Sequence, residues 1–216
     1  MTASPSELAP RVIGALTTDP RRPGCIRIMV QGRPLLTVPQ EAVAAEGLAA
    51  GRPIGEAQYL RLCRAADEEA AFRTALRFLE RRPFAERDLA RRLVLKGHPP
   101  AAAAAALQRA LRCGLIDDAR FVEHYVETRG ARGRGPLRLR RDLAALGVER
   151  SLVDRALAGA YPDGAEALEV ERLARKRLLQ LGALPRPVLR RRLLAFLARR
   201  GFVGEAVQRT VLTLVR

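Results

Sequence analysis

The sequence predicts an all-α fold of tandem three-helix repeats, elongated and curved, with a small N-terminal extension that holds a β-hairpin and short helices. Three observations predict it. An apolar ladder closed by glycine occurs three times, as Leu89, Leu93 and Gly97, then Leu139, Leu143 and Gly147, then Leu193, Leu197 and Gly201. Leucines four apart share one face of a helix, and a glycine four residues on ends that helix without strain because it accepts the left-handed conformation. Ten residues after each glycine stands another apolar residue, Leu107, Leu157 or Val211, and the copies lie 50 and 54 residues apart, which marks a tandem repeat. Breakers also cut each copy ahead of its ladder: Pro83 in the first, Gly133, Gly135 and Pro136 in the second, Pro185 and Pro187 in the third.

Taken in order, residues 1–20 read as a poorly ordered lead-in that ends in a turn cluster, Asp19-Pro20-Arg21-Arg22-Pro23-Gly24. Within it, Arg11 to Leu16 fits either a short strand or a helical turn. Cys25 to Val30 alternates, with Ile26, Ile28 and Val30 on one side and Arg27 and Met29 on the other. Gln31 to Pro34 and the apolar Leu35 to Val38 complete a β-hairpin. A hairpin of two strands is not stable by itself, so it must lean on the helices around it. Pro39 suits the start of a short helix to about Glu46, and after the Gly51–Gly55 break a further helix covers Glu56 to Ala66.

The repeats follow. The first has a stripe of Phe72, Ala75, Leu76 and Leu79, then the Leu89–Leu93 helix, then a helix opened by Pro99 and Pro100 that contains six consecutive alanines, 101–106. The second has Phe121, Val122, Tyr125 and Val126, then Leu139–Gly147, then Ser151–Leu157. The third starts after the turn Tyr161-Pro162-Asp163-Gly164 and runs through Val170, Leu173 and Leu178, Leu193–Gly201, and Glu205–Val215. The expected divisions are 1–66, 67–118, 119–160 and 161–216.

Charge points to the partner. The chain carries 39 basic and 23 acidic residues, a formal net charge of +16. Residues 67–216 hold 31 of the basic and 18 of the acidic residues, so the repeats carry most of the excess. Lys96 and Lys176 are the only lysines, and the remainder are arginines, which fork onto phosphate and carboxylate. Such an excess favours a polyanion, either nucleic acid or an acidic protein groove. Cys25, Cys63 and Cys113 have no metal-ligand spacing and read as buried free thiols of a reducing cytoplasm. No apolar run approaches ~18 residues, and no charged segment precedes an apolar one at the N-terminus. No membrane association and a cytoplasmic location are expected.

The residues that invite chemistry have simpler readings. Asp117 and Asp118 are adjacent, so their side chains do not converge on a helix; ahead of an apolar stripe they cap it. His98 and His124 lack a second ligand at helical spacing. A phosphate-cradling loop, a nucleophile elbow and a Cys–His pair are all missing from the sequence. No catalytic residue, metal or cofactor is expected. The arginines remain. With the leucine ladders inward, Arg87 and Arg91 project from the first ladder helix, Arg141 with Arg138 on its flank from the second, and Arg191 with Arg192 on its flank from the third. Arg129, Arg132 and Arg134 sit among Gly130, Gly133 and Gly135, a segment whose open amides suit phosphate. The other reading of these arginines is a solvated face. With no tryptophan, three tyrosines and six phenylalanines placed largely on apolar stripes, base stacking is unsupported and any nucleic-acid contact is sequence-independent.

Three stretches resemble the RecX regulators of the bacterial recombinase RecA. They are Arg82 to Leu89 with Leu93, Lys96 and Gly97; Gly114 to Asp118 with Phe121 and Arg129; and Gly135 to Leu139 with Leu143 and Gly147. Two positions depart from the family pattern: Ala85, where serine is usual and whose missing hydroxyl weakens a helix cap, and Asp88, where glutamate is usual. The resemblance implies helical triplets in tandem. It also implies a non-catalytic protein, expected to be a monomer, that binds the RecA nucleoprotein filament and single- and double-stranded DNA. Such a protein lies in the filament groove and suppresses filament growth, ATP hydrolysis and strand exchange, restraining recombinational repair and the SOS response. The alternative is a basic helical DNA-binding or transcriptional protein that acts without RecA. The largely alanine helix after Gly97 argues against it, because a recognition helix presents polar side chains to base edges.

Overall fold

The protein is described here by a computed structural model covering residues 11–216. It is mostly helical, with a small sheet at the N-terminal end. The part of the expected lead-in at 1–10 lies outside the described residues. The chain divides into two units. One runs up to Arg82 and resumes from Leu89 to Leu115; the other comprises Pro83–Asp88 and Ile116–Arg216.

In the first unit four strands form one antiparallel sheet: β1 Arg11–Thr18, β2 Cys25–Val30, β3 Arg33–Pro39 and β4 Pro53–Ile54, in the order β3-β2-β1-β4. The expected hairpin is β2–β3. Its turn holds Gln31 and Gly32 at φ 49° and 74°, the paired positive values of a tight turn that matches strand twist. The expectation of a lead-in reaching residue 20 is corrected. Ile13 pairs opposite Val30 and Leu16 opposite Ile28, with a bulge between Ile13 and Ala15, so Arg11–Thr18 is an inner strand. Helix α1, Gln40–Ala45, follows directly on Pro39 as expected. Ile13, Ile28, Val38 and Ile54 bury against Leu62 of helix α2, which runs Glu56–Leu79. The expected helix end near Ala66 is also corrected: Ala65-Ala66-Asp67-Glu68-Glu69 contains no breaker, and one helix continues from the sheet into the first apolar stripe.

Helices α3, Glu86–Leu95, and α4, Pro100–Arg112, follow. Ala102, Ala103, Ala106 and Ala110 of α4 are buried, and α4 packs on α2, where small side chains let the two backbones approach. The second unit contains α5 Asp118–Gly130, α6 Pro136–Ala145, α7 Arg150–Ala160, α8 Ala165–Leu181, α9 Arg186–Arg200 and α10 Glu205–Leu214. Its two cores are triplet cores. Phe121, Val122, Val126, Leu139, Leu143, Val153 and Leu157 form one, and Val170, Leu173, Leu193, Leu197, Phe202, Val207 and Val211 the other.

The ladder behaves as its spacing requires. All six ladder leucines are fully buried, and each such burial contributes roughly 2 kcal/mol. Gly97, Gly147 and Gly201 take φ of 92°, 81° and 92°. After each glycine the next amide reaches back to the carbonyl of the second ladder leucine: His98 to Leu93, Val148 to Leu143 and Phe202 to Leu197. That is the Schellman closure of a helix.

Asp117 caps α5 by accepting the Arg120 amide at 3.0 Å. Asp118 caps a different helix. Its Oδ1 accepts the Glu86 amide of α3 at 2.8 Å, satisfying one of the free donors in the first turn of that helix.

Candidate cationic interface

Each triplet carries candidate cations on its middle helix. On α3, α6 and α9 the leucine ladder faces inward, which turns Arg87, Arg91, Arg138, Arg141, Arg191 and Arg192 outward, and all six are exposed. They are not equivalent. Arg141, Arg191 and Arg192 make no hydrogen bond or ion pair among the described residues and stand as open cations. Arg138 is engaged: it pairs with Asp142 at 3.5 Å and donates to the Arg199 carbonyl at 3.4 Å. The stem of Arg87 lies against Gly147, where an added Cβ would come within 2.8 Å of the Arg87 Cβ.

The glycine- and arginine-rich segment 129–135 is corrected. Gly133 and Gly135 are buried, and their amides are spent on the Gly130 and Arg200 carbonyls, both at 2.7 Å. The Arg132 and Gly133 carbonyls accept from Arg200 Nη1 at 3.2 Å each. Arg134 pairs with Asp142 at 2.6 Å. The segment therefore joins two triplets instead of offering amides to phosphate. Glycine is needed because a Cβ at position 135 would lie 2.7 Å from the Gly201 carbonyl carbon and oxygen. Two guanidiniums stay at the surface: exposed Arg132, and Arg129, which lies 5.6 Å from the Tyr125 ring centroid.

Tyr161 seals this junction by packing on both triplet cores and donating its hydroxyl to the Arg134 carbonyl at 2.8 Å. Burial, then the charges of Glu169 and Glu166, push its phenol up to about 12 from an ordinary 10.0. Tyr161→Phe is expected to cost about 1 kcal/mol by stranding that carbonyl, read as a drop in the denaturation midpoint. A raised pKa means the phenol's contribution is full below pH 10 and lost as pH rises through about 12. The wild-type advantage over the variant should therefore fade in that window.

The thiols are unpaired, but only Cys25 is buried; Cys63 is half-buried and Cys113 exposed, which corrects the expectation of three buried thiols. His98 bonds Thr74 at 2.9 Å, and His124 is exposed. Among the described residues no cluster of three His, Cys, Asp or Glu side chains is placed to hold a metal ion. A recess of about 690 Å³ lies between α5, α7 and α8, and alanines, glycines, Glu123, Glu127, Arg155 and Glu169 are among its lining. No nucleophile and base converge there. Sequence reasoning missed a second concentration of cations, along α2 of the first unit.

Two family models match the chain, the RecX first three-helix domain at residues 71–109 and the RecX second three-helix domain at 117–157. The regulatory protein RecX of Halorhodospira halophila is 36% identical over 146 residues, covering 66% of this chain and 87% of that protein. The chain belongs to the RecX family. The regulatory protein RecX of Chromohalobacter salexigens is 40% identical over 134 residues, 62% of this chain and 86% of its own. A crystal structure of regulatory protein RecX superposes with a TM-score of 0.76 at 22% identity, over 94% of this chain and 98% of that one. That of RecX from Lactobacillus salivarius gives 0.59 at 17% identity over 69% and 96%. These two likenesses show the fold: RecX three-helix domains preceded by a small strand region. The matched relatives are regulatory proteins by name, and among the described residues no helix is long and apolar enough to cross a membrane.

Proposed function

We propose that this protein is a non-catalytic, cytoplasmic regulator, monomeric in solution, that binds RecA filaments on DNA and restrains their ATP hydrolysis, extension and strand exchange. In this reading it modulates recombinational repair and the SOS response. The observation that carries the reading is membership of the RecX family across both three-helix domains. The repeated outward arginines give it a physical basis. Arg141, Arg191 and Arg192 are open cations; Arg87, Arg91, Arg132 and Arg138 are exposed as well and Arg129 is half-exposed, while Arg134 is held by Asp142 and supports the junction. Cations that reach phosphate without reading base edges bind DNA independently of sequence, with affinity that falls steeply with salt. An excess of +16 also accelerates encounter with a polyanionic filament.

RecA's DNA-dependent ATPase tests the reading. The purified protein, added well below the concentration of RecA, should suppress turnover several-fold, as a filament-bound regulator does when each copy affects many protomers. Undiminished hydrolysis at every ratio would overturn it.

A further inference from the structure

A cationic groove runs along α2 in the first unit. Two adjoining recesses, about 520 and 370 Å³, share Thr74, Arg77 and His98 as lining. Arg21 and Arg22, from the turn between β1 and β2, extend the first; Arg81 and Lys96, the latter from the turn between α3 and α4, extend the second. Glu80 is the one carboxylate on these walls.

Two features set this groove apart from the rest of the arginine-rich surface. Elsewhere many guanidiniums are neutralised at short range, as Arg61 is by Glu46, Arg172 by Glu169 and Arg175 by Glu171. Arg21, Arg22, Arg77, Arg81 and Lys96 form no ion pair among the described residues, although they converge on one depression. The floor is also ordered. Thr74, buried, donates its single hydroxyl proton to the Ala70 carbonyl at 3.0 Å. Its oxygen can therefore only accept, and it takes Arg77 Nη2 at 3.0 Å and His98 Nε2 at 2.9 Å. One hydroxyl thus orients a guanidinium and an imidazole in the groove, with the proton of His98 on Nε2. Unpaired cations held in a concave, partly organised site repel one another, and a polyanion relieves that repulsion.

We propose that this groove binds the phosphodiester backbone of DNA, giving the protein a nucleic-acid site on its first unit in addition to the arginines of α6 and α9. The identity of the polyanion rests on the function proposed above; the groove itself rests on geometry. Backbone phosphates are taken by the exposed cations of the walls, and the Thr74-anchored Arg77 and His98 fix their position.

The test uses the full chain and a mixed-sequence, fluorescently labelled oligonucleotide whose anisotropy reports binding at several salt concentrations, without RecA. Two double variants, Arg81→Glu with Lys96→Glu and Arg21→Glu with Arg22→Glu, change opposite ends of the groove at exposed positions, and circular dichroism confirms their helix content. Arg33→Glu with Arg52→Glu makes the same charge change at exposed positions outside it. Each groove variant should lose about tenfold or more in affinity, and the slope of log affinity against log salt should shallow by roughly 1 to 2. The control should lose far less. Equal losses in groove and control variants would overturn the site, as would undiminished DNA affinity in both groove variants. RecA ATPase inhibition is measured in parallel. Failure of the wild-type protein to inhibit RecA, with the groove effect on DNA retained, rejects the filament reading alone.

Discussion

Gly201→Ala is expected to destabilise the second unit by roughly 3–5 kcal/mol, whereas Gly97→Ala at the matching position of the first ladder should cost only about 1–2 kcal/mol. The backbone strain is shared: both glycines sit at φ 92°, a conformation that a Cβ penalises. The surroundings are not. A Cβ on Gly201 would fall 2.4 Å from the backbone nitrogen and Cβ of Arg138, while one on Gly97 meets nothing within 4 Å. The obstruction is main chain, so relief requires the start of α6 to move away from the end of α9. That movement strains the Leu137 amide's bond to the Gly201 carbonyl at 3.2 Å and the Gly135 amide's bond to the Arg200 carbonyl. Gly147→Ala should fall between, because its obstacle is the Arg87 side chain, whose Cβ lies 2.8 Å away but whose outer atoms can swing. Chemical denaturation ranks the three, and amide exchange in α8–α10 reports whether the third triplet loosens first. Equal losses at all three would show that φ alone matters and that the close approach does not hold the triplets together.

These glycines also mark how far the sequence could be read. Helix ends and ladder faces were legible because they are local: a leucine spacing of four and a glycine four beyond it determine face and closure within one helix. What the same glycine touches was not legible. Gly97, Gly147 and Gly201 look alike in the sequence, yet two of them receive a residue more than fifty positions away. The 129–135 segment misled for a related reason. Glycine there provides close approach to Gly201, not open amides, and both uses leave the same residue in the chain. Strand β1 was ambiguous since Gly14 interrupts its alternation at a bulge, and the two-residue β4 is too short to carry any pattern. The α2 groove brings Arg21 of the β1–β2 turn and Lys96 and His98 of the α3–α4 turn together with Thr74 and Arg77 of α2, and no periodicity connects them. Asp117 caps the helix it precedes, as its position implies, but Asp118 bonds the start of a helix 32 residues earlier, which no local pattern shows.

Reversing Arg141, Arg191 and Arg192 together to glutamate should lower affinity for DNA-bound RecA by about a hundredfold or more at low salt, with little loss of stability. The choice follows from the contacts. Arg138 has the same outward offset but is a poor probe, since its reversal would also break its pair with Asp142 and disturb the backbone beside Gly201. Arg141, Arg191 and Arg192 hold nothing within the described chain, so a change at them reads on a partner. Each reversal removes one cation and adds a repulsion against phosphate, worth on the order of tenfold apiece where the charge lies within a Debye length of the polyanion. Bulk charge is separated by a matched triple, Arg172, Arg175 and Arg209 to glutamate, whose guanidiniums are already paired with Glu169, Glu171 and Glu205. Both triples shift the net charge by the same amount. If the effect were a property of the net charge, the two would weaken binding equally; a local interface requires the α6–α9 triple to lose far more, and inhibition of RecA's ATPase to fall with it.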